Sequence, residues 1–558
     1  MNFFRRFRQW LSKSREHSGA LVRKADQAKR AGAWREAADL YRQALELTPE
    51  RAGTWVQYGH ALREGGEPGA AVQAYVEAIA RRPNIGETHL YLGRALLLTG
   101  ALGDAELALK AALEIDPALG PAAVDAVRAL RRQKGLLDET IVATINREVL
   151  GASYCDGPVV VLDVTDLIDY SLKAQRPSGI QRVQLEILRG LLLAGEEGSG
   201  IVAAAYSDDR GVWIEVPQKR LMALLYSMLH AATNDWRWRS DAQSVADIID
   251  LGPPRQFVDG DVIVNLGSSW SANTYFSGLE NLKASCRVGY IPFVHDLIPL
   301  VHPQFCLEGL PDQFAEWLKG VFIHADGVLT NSESTKRDLL RVAAELCVVI
   351  SDDAVEVTPL DGCLGQLEGA TGDELLGGPY ILLVSTLEPR KNHQTAFEAW
   401  LLLAARRQQQ MPRLVCVGQF GWMYDEMVRM LESHPSLKEN VLLLGGVSEA
   451  QLASLYRGCL FTLYPSFYEG WGLPVTESLC FRKVPLVSET ASLPEAGGVF
   501  ASYFDPHNPA QLADRVEALL DDNYRLTLEG RIAAEWRPRS WSAIGDQVVS
   551  FARRRCAF

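Results

Sequence analysis

Glu469 and Glu477 stand eight positions apart in PSFYEGWGLPVTES (465–478), with Gly470, Gly472 and Pro474 between them. The apolar run LFTLYP just before them reads as a short strand, and PVTESLCF reads as the start of a helix with proline in its first turn. Glu469 is therefore expected in a strand-to-helix loop and Glu477 in the first turn of the helix. In an open α/β sheet such loops line the crevice at the carboxyl ends of the strands, where ligands bind. Two carboxylates there can accept hydroxyls from a polyol at two separate points.

Other chemistry-bearing residues share this position after apolar runs. His295 and Asp296 follow RVGYIPFV, while Ser385, Thr386, Arg390 and Lys391 follow YILLV. Gly418 follows RLVCV, and Gly445, Gly446 and Val447 follow VLLL. Arg390 and Lys391 offer adjacent positive charges, suited to phosphate oxygens as a bidentate fork and a point charge. Gly179 precedes a helix beginning near Ile180, so backbone N–H groups there could approach an anion.

The elements that must position these residues alternate as short strands and helices from residue 157 onward, the pattern of parallel α/β sheets. The expected strands are GPVVVLD, IVAAAY, DVIVNLG, RVGYIPFVHD and GVLTNS in one half, and YILLVS, RLVCVG, VLLLGG, LFTLYP and VPLVS in the other. VEVTPLDG and the following Gly- and acid-rich stretch read as the linker. The resulting expectation is two Rossmann-like, doubly wound domains facing one cleft, at 157–360 and 375–535, with a helix at 536–558 packing back on the first.

The first quarter is different. Pro49, Pro83 and Pro117 recur every 34 residues. Trp55, Gly59, Leu62, Ala71, Tyr75 and Ala78 match His89, Gly93, Leu96, Ala105, Leu109 and Ala112 in register, and Ala25, Ala37, Tyr41 and Ala44 fill the same slots earlier. Residues 19 to about 118, with a further helix pair to about 150, resemble tetratricopeptide repeats, an all-α solenoid whose arrays bind peptides, self-associate or act as spacers.

At 558 residues, 47% hydrophobic and 22% charged, the chain has the composition of a globular protein of several domains. Its net charge of -13 argues against nucleic-acid binding. Nine scattered cysteines without a CxxC pair fit reduced thiols in a cytoplasmic compartment. No apolar run reaches the ~18 residues of a membrane span. In residues 1–18, Phe3, Phe4, Phe7, Trp10 and Leu11 lie on one helical face among Arg5, Arg6, Arg8, Lys13 and Arg15. That pattern suits a helix lying on an anionic membrane surface, or one docked on its own protein.

PSGIQR (177–182), VHDLIP (294–299), TNSESTKRDL (330–339), VTPL (357–360), STLEPRKN (385–392), LGGVSEAQLASLY (444–456) and YEGWGLPVTES (468–478) together resemble glycosyltransferase family 4 over about 157–550. That family comprises retaining enzymes of GT-B architecture. The resemblance implies a hexosyltransferase that uses a nucleotide-sugar donor and needs no metal or other cofactor. GDP-mannose is favoured over UDP-glucose or dTDP-rhamnose, and the acceptor is a surface polysaccharide, a lipid-linked glycan or a protein. It gives Arg390 and Lys391 the leaving diphosphate, with Gly179 opposite, and Glu477 the ribose hydroxyls. Glu469, helped by the backbone of Gly470, Trp471, Gly472 and Leu473, would hold the hexose, His295 would lie by the reacting sugar, and Thr386, Gly418 and Val447 complete the donor site. Two departures stand out: Ser178 replaces a usual glycine, and Asp361-Gly362 ends the linker differently. The competing reading is a non-catalytic scaffold, against which stands the presence of all five side chains with assigned roles.

Overall fold

The computed structural model describes residues 17–116, 119, 157–174, 177, 179–194, 200–230, 237–270, 272–362, 378–407 and 411–556. The basic segment at 1–16, Pro117, the second helix pair expected to about 150, Ser178 and most of the expected linker lie outside them. The chain divides into two compact units, the first within 1–147 and the second running from 148 to 558, apart from 172–174.

The first unit contains helices at 17–30, Trp34–Leu47, Ala52–Glu64, Pro68–Arg81, Gly86–Thr99 and Leu102–Ile115. Helices end at Leu47 and Arg81, two residues before Pro49 and Pro83, because proline lacks the donor N–H and clashes with the preceding turn. The 34-residue period is carried by packing. A Cβ at Gly59 would lie 2.6 Å from the Tyr75 ring, and one at Gly93 would lie 2.7 Å from Leu109. Each glycine lets a large side chain of the next helix approach the backbone.

The second unit holds two sheets. In the first, β1 (Val160–Asp163), β2 (Ile201–Ser207), β3 (Val212–Val216), β4 (Val262–Asn265), β5 (Gly289–Val294), β6 (Val328–Thr330) and β7 (Val355–Val357) run in the order β3-β2-β1-β4-β5-β6-β7. In the second, β8 (Tyr380–Val384), β9 (Arg413–Val417), β10 (Val441–Leu444), β11 (Thr462–Tyr464), β12 (Pro485–Ser488) and β13 (Ser502–Phe504) run in the order β10-β9-β8-β11-β12-β13. All ten expected strands form. Three others were not expected. β3 returns antiparallel to β2 through a tight turn that places Gly211 at φ +66°, so this sheet is not wholly parallel. β7 takes VEV out of the expected linker and pairs it with β6. β13 adds an edge to the second sheet.

The order in which strands are added reverses between β1 and β4 in the first sheet and between β8 and β11 in the second, each pair running parallel. Loops leaving such a switch point diverge to opposite faces and open a crevice between them. The second sheet is held by the helix His393–Arg407, whose Phe397, Trp400 and Leu403 are buried against Ile381, Leu383 and Leu414. The helix Trp541–Arg555 crosses back onto the first half, where Gly190 and Gly545 admit Ser542 and Leu191 at close range. Arg539 pairs with Asp361 at 2.7 Å beside this crossing. Six described cysteines are free thiols, but Cys480 is disulfide-bonded, contrary to the expectation of reduced thiols throughout.

Candidate active site

Arg390 and Lys391 lie on a single 3-10 turn, Pro389–Lys391, in the loop that leaves β8. Asn392 fixes that turn. It adopts φ +56°, a conformation asparagine tolerates, and its buried amide donates to the carbonyls of Pro465 at 3.0 Å and Pro506 at 2.9 Å. The N–H of Phe467 bonds the Arg390 carbonyl at 2.9 Å, so the β8 and β11 loops are tied together along their backbones.

Across this seam the side chains meet. Arg390 Nη1 is 2.8 Å from Glu469 Oε2, and Lys391 Nζ is 2.6 Å from Glu469 Oε1. The Tyr464 hydroxyl donates to the same Oε1 at 3.0 Å. Arg390 also pairs with Glu388 at 2.6 Å and donates to the Tyr468 carbonyl at 2.8 Å. Both cations are thus ion-paired to the one carboxylate. Burial alone would raise the Glu469 carboxyl, but Arg390 and Lys391 outweigh it and hold it at about 2. Glu469 is therefore ionised and is not a proton donor at neutral pH. Burial and the neighbouring Arg390 pull Lys391 below the ordinary lysine value, against the attraction of Glu469.

The first half supplies the opposite wall. A Cβ at Gly470 would run into the carbonyl oxygen of His295 and lie 3.0 Å from the Asp296 Cβ, so only glycine permits this approach. Ser332 donates to the Gly470 carbonyl at 2.7 Å, and Asn331 to the His295 carbonyl at 2.7 Å. Glu495 of the second half accepts the N–H groups of Glu333 at 2.7 Å and Ser334 at 2.8 Å, capping the helix Glu333–Glu345 with a negative charge. The His295 ring stacks on Phe293, and its Nε2 lies 2.8 Å from the Leu266 carbonyl. Burial pushes the imidazole down to about 4, so it is neutral and Nε2 donates. Asp296, whose carboxyl burial raises, feels Arg390, Glu469 and Lys391 across the seam. Its proximity to these charges was not legible in the sequence.

Glu477 belongs to a second cluster. It lies in the second turn of the helix Leu473–Cys480, not the first, because the helix starts at Leu473 behind Gly472 at φ +112°. Its Oε2 accepts from the Tyr456 hydroxyl at 2.7 Å. Burial raises its carboxyl, while Arg182 draws it down. Arg182 comes from the first half, on the helix Gly179–Ala194, and reaches Glu449 Oε1 at 2.9 Å. Gly179 opens this helix with φ +48° and open space at its Cβ position. Gly446 turns at φ +69° after β10, ahead of a capping box in which Ser448 and Gln451 start the helix Glu449–Gly458. Gly418 touches Ser385, next to Thr386, so the loops after β8 and β9 are in contact. Trp471 is buried, and its Nε1 has no hydrogen-bond partner. A cavity of about 940 Å³ opens on the far side of the Pro389–Lys391 turn, lined by Glu388, His393 and Phe467, and does not include Arg390, Lys391 or Glu469.

Residues 373–535 match the family Glycosyl transferases group 1. The match covers the second sheet and both loops of its switch point. The serotype-specific mannosyltransferase WbdA of Escherichia coli is 26% identical over 368 residues, covering 63% of this chain and 41% of that protein. The O-antigen chain mannosyltransferase B of Escherichia coli is 28% identical over 231 residues, 40% of this chain and 59% of that protein. The chain thus spans about two fifths of the length of WbdA. Among solved structures, one described as trehalose-6-phosphate from E. coli bound with UDP-2-fluoro glucose aligns with a TM-score of 0.49 at 14% identity, covering 71% of this chain and 99% of that one. No helix among the described residues is long and apolar enough to cross a membrane.

Proposed function

We propose that this protein is a retaining glycosyltransferase that moves a hexose, mannose foremost, from a nucleoside-diphosphate donor to a growing surface glycan. The observation that carries this reading is the bonding of Arg390, Lys391 and Glu469 across the β8/β11 switch point, within the segment that matches the group 1 family. The choice of mannose and of a surface glycan rests on the names of the Escherichia coli relatives.

The chemistry follows from the charges. As the bond from the anomeric carbon to the diphosphate breaks, its electron pair passes to the leaving oxygen. Fixed cations there stabilise the transition state without reorganising. Arg390 and Lys391 fill that role, and Glu469 orients both. A carboxylate accepts about four hydrogen bonds; Lys391 and Tyr464 both donate to Oε1 of Glu469 while Arg390 is ion-paired with Oε2, which leaves Oε2 able to accept a hexose hydroxyl. The acceptor oxygen adds to the face that the diphosphate leaves, and its proton passes to the departing diphosphate oxygen. Configuration is retained and no metal takes part. Glu477 has one oxygen on Tyr456 and one for ribose hydroxyls. His295, neutral and with its Nε2–H held by the Leu266 carbonyl, has Nδ1 left to accept a hydroxyl of the reacting sugar, a binding role and not proton transfer.

A second reading, favoured by the repeating helical unit, keeps this chemistry and lets tetratricopeptide-type repeats recruit a polypeptide acceptor or a second copy of the chain. The test is a panel of nucleotide sugars with purified protein, followed by identification of the transferred sugar. Absence of binding and turnover with every donor, together with wild-type behaviour of Glu469→Gln in cells, would overturn the proposal.

A further inference from the structure

Arg182 is buried, with 11% of its side chain exposed, and has carboxylates on both sides of the cleft. On its own helix, Glu186 accepts from Nε at 3.2 Å. From the second half, Glu449 accepts from Nη1 at 2.9 Å, and the Glu477 carboxylate lies within electrostatic reach of it. Glu449 opens the helix after β10 and Glu477 lies on the helix after β11, so one guanidinium of the first half bonds the first of these helices and attracts the carboxylate of the second. We propose that Arg182 is an interdomain latch: it holds the cleft closed at the Glu449/Glu477 end and keeps Glu477 competent to accept ligand hydroxyls. This deepens the proposed function and rests on the reading that the cleft takes a nucleotide.

Glu186 also pairs with Arg189 at 3.7 Å, yet three carboxylates against these two guanidiniums still leave an excess of negative charge in a largely buried place. Such a cluster is stable only while the Arg182 guanidinium stays. Opening the halves would take Arg182 from Glu449 and Glu477, leaving two carboxylates of the second half facing each other. Arg182 is thus a positioning residue, acting through Glu477 and through closure. The groups facing Glu477 are Arg182 and Glu186 from the first half, and Glu449 and Tyr456 from the helix Glu449–Gly458. Only Arg182 among them is a cation, so its loss raises the Glu477 carboxyl further above the ordinary range. Ligand hydroxyls bound by ionised Glu477 are then lost at a higher pH as the solution is acidified.

The test uses the full chain with UDP and GDP as probes, titrated calorimetrically across acid to neutral pH. Hydrogen exchange is followed in parallel at Glu333 and Ser334, whose N–H groups are held by Glu495 across the cleft. For Arg182→Met the expected result is nucleotide binding weakened about tenfold or more. Its acid limb should move to higher pH, and exchange at Glu333 and Ser334 should accelerate. Arg182→Lys should recover part of each effect, and adding Glu449→Gln to Arg182→Met should cost little more. Wild-type affinity, acid limb and exchange in Arg182→Met would overturn the latch. If the wild-type chain binds neither nucleotide, the nucleotide reading fails, and unchanged exchange in Arg182→Met would overturn the latch independently.

Discussion

Replacing Lys391 by methionine separates catalysis from stability. The substitution keeps an unbranched apolar stem and deletes the ammonium that lies 2.6 Å from Glu469 Oε1 and 3.1 Å from the Tyr464 hydroxyl. For the fold, two effects oppose. Glu469 loses one partner but keeps Arg390 at 2.8 Å and Tyr464 at 3.0 Å. Against that, burial and Arg390 outweigh the attraction of Glu469 at Lys391, so keeping the ammonium charged there costs part of what its bond to Glu469 returns. The sum should change stability by no more than about 1 kcal/mol, a shift of about 2–4 °C in a domain of this size. For the reaction nothing opposes the loss. One preorganised group aimed at developing charge contributes about 10²–10³ in kcat. The assay is kcat and KM for donor turnover beside the thermal midpoint. The expected outcome is a kcat reduced at least a hundredfold with a nearly unchanged midpoint. A kcat within tenfold of wild type, or a loss that tracks unfolding, would refute the reasoning.

Glu469→Gln should lower kcat/KM by about 10²-fold by loosening both cations. It also removes the carboxylate that supports the Lys391 ammonium, so the alkaline limb of the pH–rate profile should move to lower pH; an unmoved limb would count against the pairing. Gly470→Ala places a Cβ against the His295 carbonyl and should open the seam between the halves. Turnover should collapse while exchange at Glu333 and Ser334 accelerates, and normal turnover would show that the approach is not needed. With His295 held at about 4, activity between about pH 6 and 8 should show no limb that disappears in His295→Asn. Such a limb would restore the imidazole to proton transfer.

The strand-loop-helix unit around Glu469 was legible because glycine and proline punctuate a short apolar run, and these signals are local. The same holds for β1, β5 and β8, which are continuous apolar runs buried on both faces. β7 escaped notice because three residues beside a Gly-rich stretch carry no period. The pairing of Glu469 with both cations was not legible either. Sequence separates Glu469 from Lys391 by 78 positions, and the residue types alone assigned cations and carboxylate to different parts of a ligand. The Arg182–Glu449 contact spans 267 positions and depends on how two sheets face each other, which no local pattern encodes.

The central claim, that fixed cations at the β8/β11 switch point drive transfer of a hexose, is tested most directly by incubating the full chain with a panel of nucleotide sugars and an oligosaccharide acceptor. NMR would follow the anomeric centre, with release of nucleoside diphosphate measured alongside. One released diphosphate is expected per sugar transferred, with the donor's anomeric configuration kept in the product. An inverted product, or no release from any donor, would contradict the claim.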